Sequence, residues 1–150
     1  MKPAETVCFN IKTAWHAIQR MYNYEAVKEG ISTSIGFVLL NIHEDGTPAT
    51  KIAPLIGLET RSLTRMLKTL EDTGLIYRAS DASDKRLVKI FLTPLGKEKR
   101  KAASRTVKAF NNIVREKIPA EKLDVFFEVI NQILKSTDGG KNLIHETNHP

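Results

Sequence analysis

Apolar residues at Leu63, Met66, Leu67 and Leu70 recur at the i, i+3, i+4, i+7 spacing of one buried helical stripe. That spacing puts Arg61, Thr64, Arg65, Lys68 and Asp72 on the opposite, mostly cationic face. The predicted helix is about four turns long. Thr60 is the expected N-cap, and Gly74 suits the position after the helix where φ turns positive. The pattern then changes period. Residues 76–79 and 87–93 are short and apolar or β-branched, with Val88, Ile90 and Leu92 alternating with Lys89 and Phe91. They predict a hairpin. Its connection, residues 80–86, is too polar to pack and ends in adjacent Lys85 and Arg86. Such a tip can follow a phosphate backbone or place an arginine in a minor groove, although a plain solvated loop fits the composition too.

Helical patterns flank this unit. Residues 5–28 carry Val7, Ile11, Ala14, Ile18 and Met21 at near-heptad spacing, with a second row of Cys8, Trp15 and Tyr22. Gly30 stops that helix, and a second is predicted over 33–43 with Ile35, Val38, Leu39 and Ile42 turned inward, ending before the Glu44-Asp45-Gly46 turn. Residues 47–57 predict the supporting helix of a helix-turn-helix, with Thr47 as cap, Pro48 in the first helical position and Gly57 in the turn. Pro54 inside it removes a hydrogen bond, so a kinked or short helix is expected. Beyond the hairpin, Pro94 opens a helix reaching about Lys117, and Pro119 opens a last one with Leu123, Phe126, Phe127, Ile130, Ile133 and Leu134 on one side, stopped by Gly139-Gly140. Three long apolar stripes around a core that can fill itself predict pairing between two chains, a homodimer.

Charge sharpens this picture. The 150 residues, 41% hydrophobic, suffice for one domain, and the net charge of +6 favours an anionic partner. Between Lys51 and Lys101 twelve basic residues face six acidic ones, an excess equal to that of the whole chain. The basic run Lys97-Glu98-Lys99-Arg100-Lys101 could reach DNA flanks, but a solvated helix face is the plainer reading. Lys12 and His16 interrupt the only apolar candidate for a signal or membrane segment, and a single cysteine precludes an internal disulfide, so a cytoplasmic setting is expected.

The helix, Gly74-Leu75-Ile76, Arg78, Asp84-x-Arg86, the strand end Leu92-Thr93 and Gly96 together resemble the DNA-binding core of the MarR (multiple antibiotic resistance regulator) family over roughly residues 46 to 100. The resemblance implies a mainly α fold with a small β-hairpin wing. A winged helix-turn-helix core, about 33–100, would be flanked by dimerisation helices at about 5–28 and 100–137 and a flexible tail at 138–150, all in one domain. It further implies a homodimeric regulator with recognition helices in successive major grooves of double-stranded DNA and wings in flanking minor grooves. Arg86 would be the wing arginine and Asp84 the carboxylate orienting it. The expected DNA-binding set is Thr60, Arg61, Ser62, Thr64, Arg65, Lys68, Arg78, Asp84, Lys85 and Arg86. An architectural DNA binder and a winged helix used for protein contacts are the competing readings.

Other chemistry is sparse. His145-Glu146-Thr147-Asn148-His149 matches H-E-x-x-H literally but follows Gly-Gly at the end of the chain, with no third ligand downstream, and a polar frayed tail is the default. No phosphate loop or nucleophile elbow is present, and neither an enzyme nor a cofactor or metal site is expected. Cys8 is expected near a helix start, and with Tyr22 it is similar to the sensing cysteine and tyrosine of organic hydroperoxide regulators. Lys12 and Thr33 stand where further tyrosines belong, and a buried structural cysteine is the plainer expectation. Trp15, His16, Tyr22 and His43 are candidates to line a pocket for a small aromatic or oxidant effector.

Overall fold

A computed structural model describes residues 2–57 and 59–137. A 3-10 turn, Pro3–Glu5, leads into α1 (Val7–Lys28), capped by the Thr6 hydroxyl, which accepts from the Phe9 N–H. Next come α2 (Thr33–Leu40), β1 (Thr47–Pro48), α3 (Ala49–Ile56) and α4 (Thr60–Asp72). The strands β2 (Ile76–Ser80) and β3 (Val88–Leu92), then α5 (Pro94–Lys117) and α6 (Ala120–Thr137), complete the described elements. The chain divides into two compact units, 1–108 and 109–150. In the first, Val38, Leu39, Ile42, Ile52, Leu63, Leu67, Leu70, Leu75, Ile76, Ile90 and Leu92 form one buried cluster. Each such side chain contributes about 1.5–3 kcal/mol of burial. In the second, Leu123 is buried while Val125, Phe126, Phe127, Val129 and Leu134 stay exposed.

The sheet is antiparallel in the order β1-β3-β2, with Thr47 opposite Ile90 and Ile76 opposite Leu92. This corrects the expectation for residues 47–48. Thr47 does not cap α3: its backbone pairs with β3, its side chain is buried, and its hydroxyl accepts the His43 N–H at 2.9 Å, closing the turn before it. Pro48 becomes the N-cap residue, and α3 is short and runs through Pro54. Thr50, whose carbonyl loses the Pro54 donor, is exposed, as is Pro54, so water can satisfy the freed group. Gly57, at φ +63, ends the helix. Thr60 is likewise not a cap. Glu59 holds that position without a side-chain bond, and the Thr60 carbonyl accepts from the Thr64 hydroxyl inside α4. The second helix stops at Leu40 rather than His43, with Asn41 as its C-cap. The predicted Gly139-Gly140 stop lies outside the described residues.

The end of α4, the base of the hairpin and the start of α5 are joined by a few short bonds. Gly74 (φ +71) turns the chain out of α4. The Thr93 N–H donates to the Leu75 carbonyl at 3.1 Å, and the Thr93 hydroxyl donates to the Gly74 carbonyl at 2.6 Å while accepting the Gly96 N–H at 3.0 Å. Thr93 thus caps α5 and ties it to the end of α4. Gly96 packs so closely that a Cβ there would lie 1.9 Å from the Leu75 oxygen. Gly96→Ala is therefore expected to cost about 2–4 kcal/mol, read as a lowered urea-unfolding midpoint. An unchanged midpoint would mean that α5 can shift away without loss.

Candidate nucleic-acid interface

Helix α4 presents the face that its periodicity predicts. Leu63, Leu67 and Leu70 are buried and Met66 half-buried, while Arg61, Ser62, Thr64, Arg65 and Lys68 are exposed. Lys68 sits 3.8 Å from Asp72, with both side chains more than half exposed, a pair too solvated to hold the ammonium away from another anion. The Arg61 and Arg65 guanidinium groups have no hydrogen-bond or ion-pair partner among the described residues.

Arg78 is exposed but has a partner within the fold. It stands on β2, and its Nε donates to Glu71 Oε2 at 3.2 Å, strapping the wing strand to the last turn of α4. Lys85 and Arg86 lie at the hairpin tip, exposed and without side-chain partners among the described residues. Asp84 does not hold the Arg86 guanidinium. Its Oδ1 accepts the Arg86 backbone N–H at 2.9 Å, so its effect is on the loop's path. Sequence reasoning missed Asp81. Its carboxylate accepts from the Ser83 N–H (2.8 Å), the Ser83 hydroxyl and the Asp84 N–H (3.2 Å), and pairs with Lys89. The Lys89 bond first, and the Ser83 and Asp84 bonds with it, hold this carboxyl well below the usual carboxylate range, and the Lys89 ammonium is raised in turn. The Asp-x-x-Asp pattern at 81–84 was the available signal, since aspartates two or three residues before free N–H groups close such turns.

The basic run after the hairpin is largely engaged. Arg100 donates to the Ile42 carbonyl at 2.9 Å and lies 3.5 Å from Glu44, and Lys99 faces Glu29 at 3.8 Å. Lys97 and Lys101 remain exposed.

The effector candidates are not gathered into one pocket. Trp15 stacks on Phe37 with ring centroids 5.9 Å apart, and Tyr22 meets the same ring edge-on at 5.9 Å. Tyr22, Phe37, Leu40 and the α5 residues Ala103 and Val107 line a narrow apolar groove between α1, α2 and α5, and burial raises the Tyr22 pKa. His16 opens instead onto a polar groove with Arg20 and Ser34, and His43 onto another beside β1 and the hairpin. Helical rows place residues on a face without saying what covers it. Cys8 is exposed in this chain, not buried, with Sγ 3.6 Å from the Thr6 hydroxyl. The H-E-x-x-H segment lies outside the described residues.

Comparison with known proteins agrees with this geometry. TtmR, an HTH-type transcriptional regulator of Methylorubrum extorquens, is 35% identical over 92 residues, covering 61% of this chain and 47% of TtmR. MgrA, an HTH-type transcriptional regulator of Staphylococcus aureus, is 31% identical over 91 residues, covering 59% of this chain and 62% of MgrA. The matches thus span less than two thirds of either relative. Among solved structures, CouR from Rhodococcus jostii bound to p-coumaroyl-CoA superposes with a TM-score of 0.80 at 22% identity, over 89% of this chain and 94% of CouR. An S. aureus MepR–DNA complex superposes with a TM-score of 0.77 at 21% identity, over 87% of this chain and 98% of MepR. These likenesses establish the winged-helix fold. Residues 33–88, from the start of α2 to the first residue of β3, match the MarR family model.

Proposed function

We propose that this chain is a DNA-binding transcriptional regulator and not an enzyme, acting as a homodimer on a palindromic operator. One observation carries the reading. The fold engages Arg78, Lys89, Lys99 and Arg100 with its own carboxylates and carbonyls, and leaves the charged groups of Arg61 and Arg65 on α4 and of Lys85 and Arg86 on the wing without partners among the described residues. On this reading Arg61, Ser62, Thr64, Arg65 and Lys68 meet bases and phosphates in the major groove, and Arg86 enters a flanking minor groove. Thr60 and Arg78, both exposed, are proposed to add contacts at the edges of this surface, and Asp84 shapes the loop that carries Arg86.

The dimer is supported by apolar surface. The α6 residues Val125, Phe126, Phe127, Val129 and Leu134 are exposed in the single chain, as are Val7, Phe9, Ile11 and Trp15 on α1. Large side chains crowded on an 18-residue helix favour a partner helix. The groove at Tyr22 and Phe37 is the proposed seat of a small aromatic effector, and Cys8, exposed at the start of α1, is the proposed point of oxidant attack. Among the described residues no helix is long and apolar enough to cross a membrane, and a cytoplasmic site of action is part of the proposal.

Selection of bound duplexes from a random library should recover two related half-sites about 10 bp apart. Arg65→Ala should cost about 1–3 kcal/mol and relax preference at one position in each half-site. A uniform loss across sequences would make Arg65 a phosphate contact, and recovery of no motif would favour an architectural role. Phe126→Asp is expected to convert the dimer to monomer in sedimentation equilibrium. A wild-type monomer at micromolar concentration would remove the dimer from the proposal.

A further inference from the structure

We infer that Asp81 is a positioning residue for DNA recognition: it folds the wing tip into one shape that holds out Lys85 and Arg86. This rests on the reading of the chain as a DNA-binding protein with Arg86 at the operator flank.

The hairpin connection is long for a tight turn, and its residues are small or polar, so its own packing does not fix it. Hydrogen bonds do. The Asp81 N–H donates to the Leu87 carbonyl at 2.8 Å, closing the base, and the Leu87 N–H donates to the Asp84 carbonyl at 3.0 Å. Inside that frame one Asp81 oxygen collects the Ser83 N–H, the Ser83 hydroxyl and the Asp84 N–H, and the other oxygen pairs with Lys89. Asp84 then accepts the Arg86 N–H, carrying the order to the residue that matters. Lys89 also reaches the Asp45 carbonyl at 3.5 Å, tying the tip to the turn before β1. Side-chain exposures of 13% for Asp81 and 19% for Lys89 set this pair apart from the solvated pairs on α1 and α4. Lys89 is thereby removed from the cations that face DNA. A tip already ordered loses less conformational freedom on binding than a loose one, so its arginine binds more tightly.

The proposal and simple electrostatics predict opposite signs. Removing an acid from the wing loop makes the wing more positive, which alone would strengthen binding to a polyanion. Loss of positioning would weaken it. The test uses the full chain as wild type, Asp81→Ala, Arg86→Ala and the double variant, with Asp81→Asn as a second probe that keeps one acceptor for the loop amides. Each is titrated against an operator duplex with both flanks and against one trimmed to the major-groove half-sites.

On the flanked duplex Arg86→Ala and Asp81→Ala should each lower affinity on the order of tenfold. The double variant should be no weaker than Arg86→Ala alone, because Asp81 acts through that arginine. Asp81→Asn should lose less, and on the trimmed duplex Asp81→Ala should match or exceed wild type. Unchanged or tighter flanked binding by Asp81→Ala, with Arg86→Ala weakened, would overturn the proposal while leaving the regulator reading intact. Additive losses would overturn it as well. An inert Arg86→Ala would remove the wing contact itself, and a wild type that binds neither duplex would remove the regulator reading.

Discussion

The Leu75 carbonyl is the point on which the geometry of this fold depends. It receives the Thr93 N–H, and Gly96 rests against it with no room for a side chain. Through those two contacts the last turn of α4, the base of the wing and the first turn of α5 keep one mutual placement. Thr93 adds its hydroxyl as both donor to Gly74 and acceptor from Gly96, so one residue satisfies amide and carbonyl groups that the two helix ends would otherwise leave open. A recognition helix and a wing can read neighbouring grooves only if the angle between them is fixed. The Glu71–Arg78 bond sets a second strap on the same angle from the outer side.

Charge is sorted by the same folding. A stretch carrying the chain's whole positive excess would present a diffuse basic surface if every cation were free. Instead Arg78, Lys89, Lys99 and Arg100 are turned to internal partners, and the cations left exposed include a row on α4 and a pair at the wing tip, besides Lys51, Lys97 and Lys101. That sorting favours a shaped contact over general attraction to polyanions, since screened charges at a distance contribute little at physiological salt.

Much of this was legible in the sequence, for reasons that also mark the limit. The α4 stripe and the alternation in β3 are periodic, and period reports which face is buried. The Leu92-Thr93 and Gly96 pattern carried the family resemblance before its physical basis was visible. Residues 47–48 were misread because Thr-Pro fits a helix start as well as an edge strand, and the strand that decides between them, β3, lies some forty residues on. Asp81 is harder to read, because Asp-x-x-Asp signals a closed turn but not that Lys89, on the facing strand, completes the carboxylate's set of partners. The effector candidates do not share one pocket, for another reason. Trp15 and Tyr22 share Phe37, a neighbour on a different helix, whereas His43 stands beside the sheet.

That the exposed cations of α4 and the wing form one DNA-reading surface is tested most directly by a salt-series binding titration. The full chain would be measured against the DNA upstream of its own coding sequence and against a scrambled duplex. The expected result is a preference of at least about 10³-fold for the upstream DNA, with affinity falling by about 0.9 log units per phosphate contact for each tenfold rise in salt. Equal, weak binding to both duplexes, or none at low salt, would contradict it.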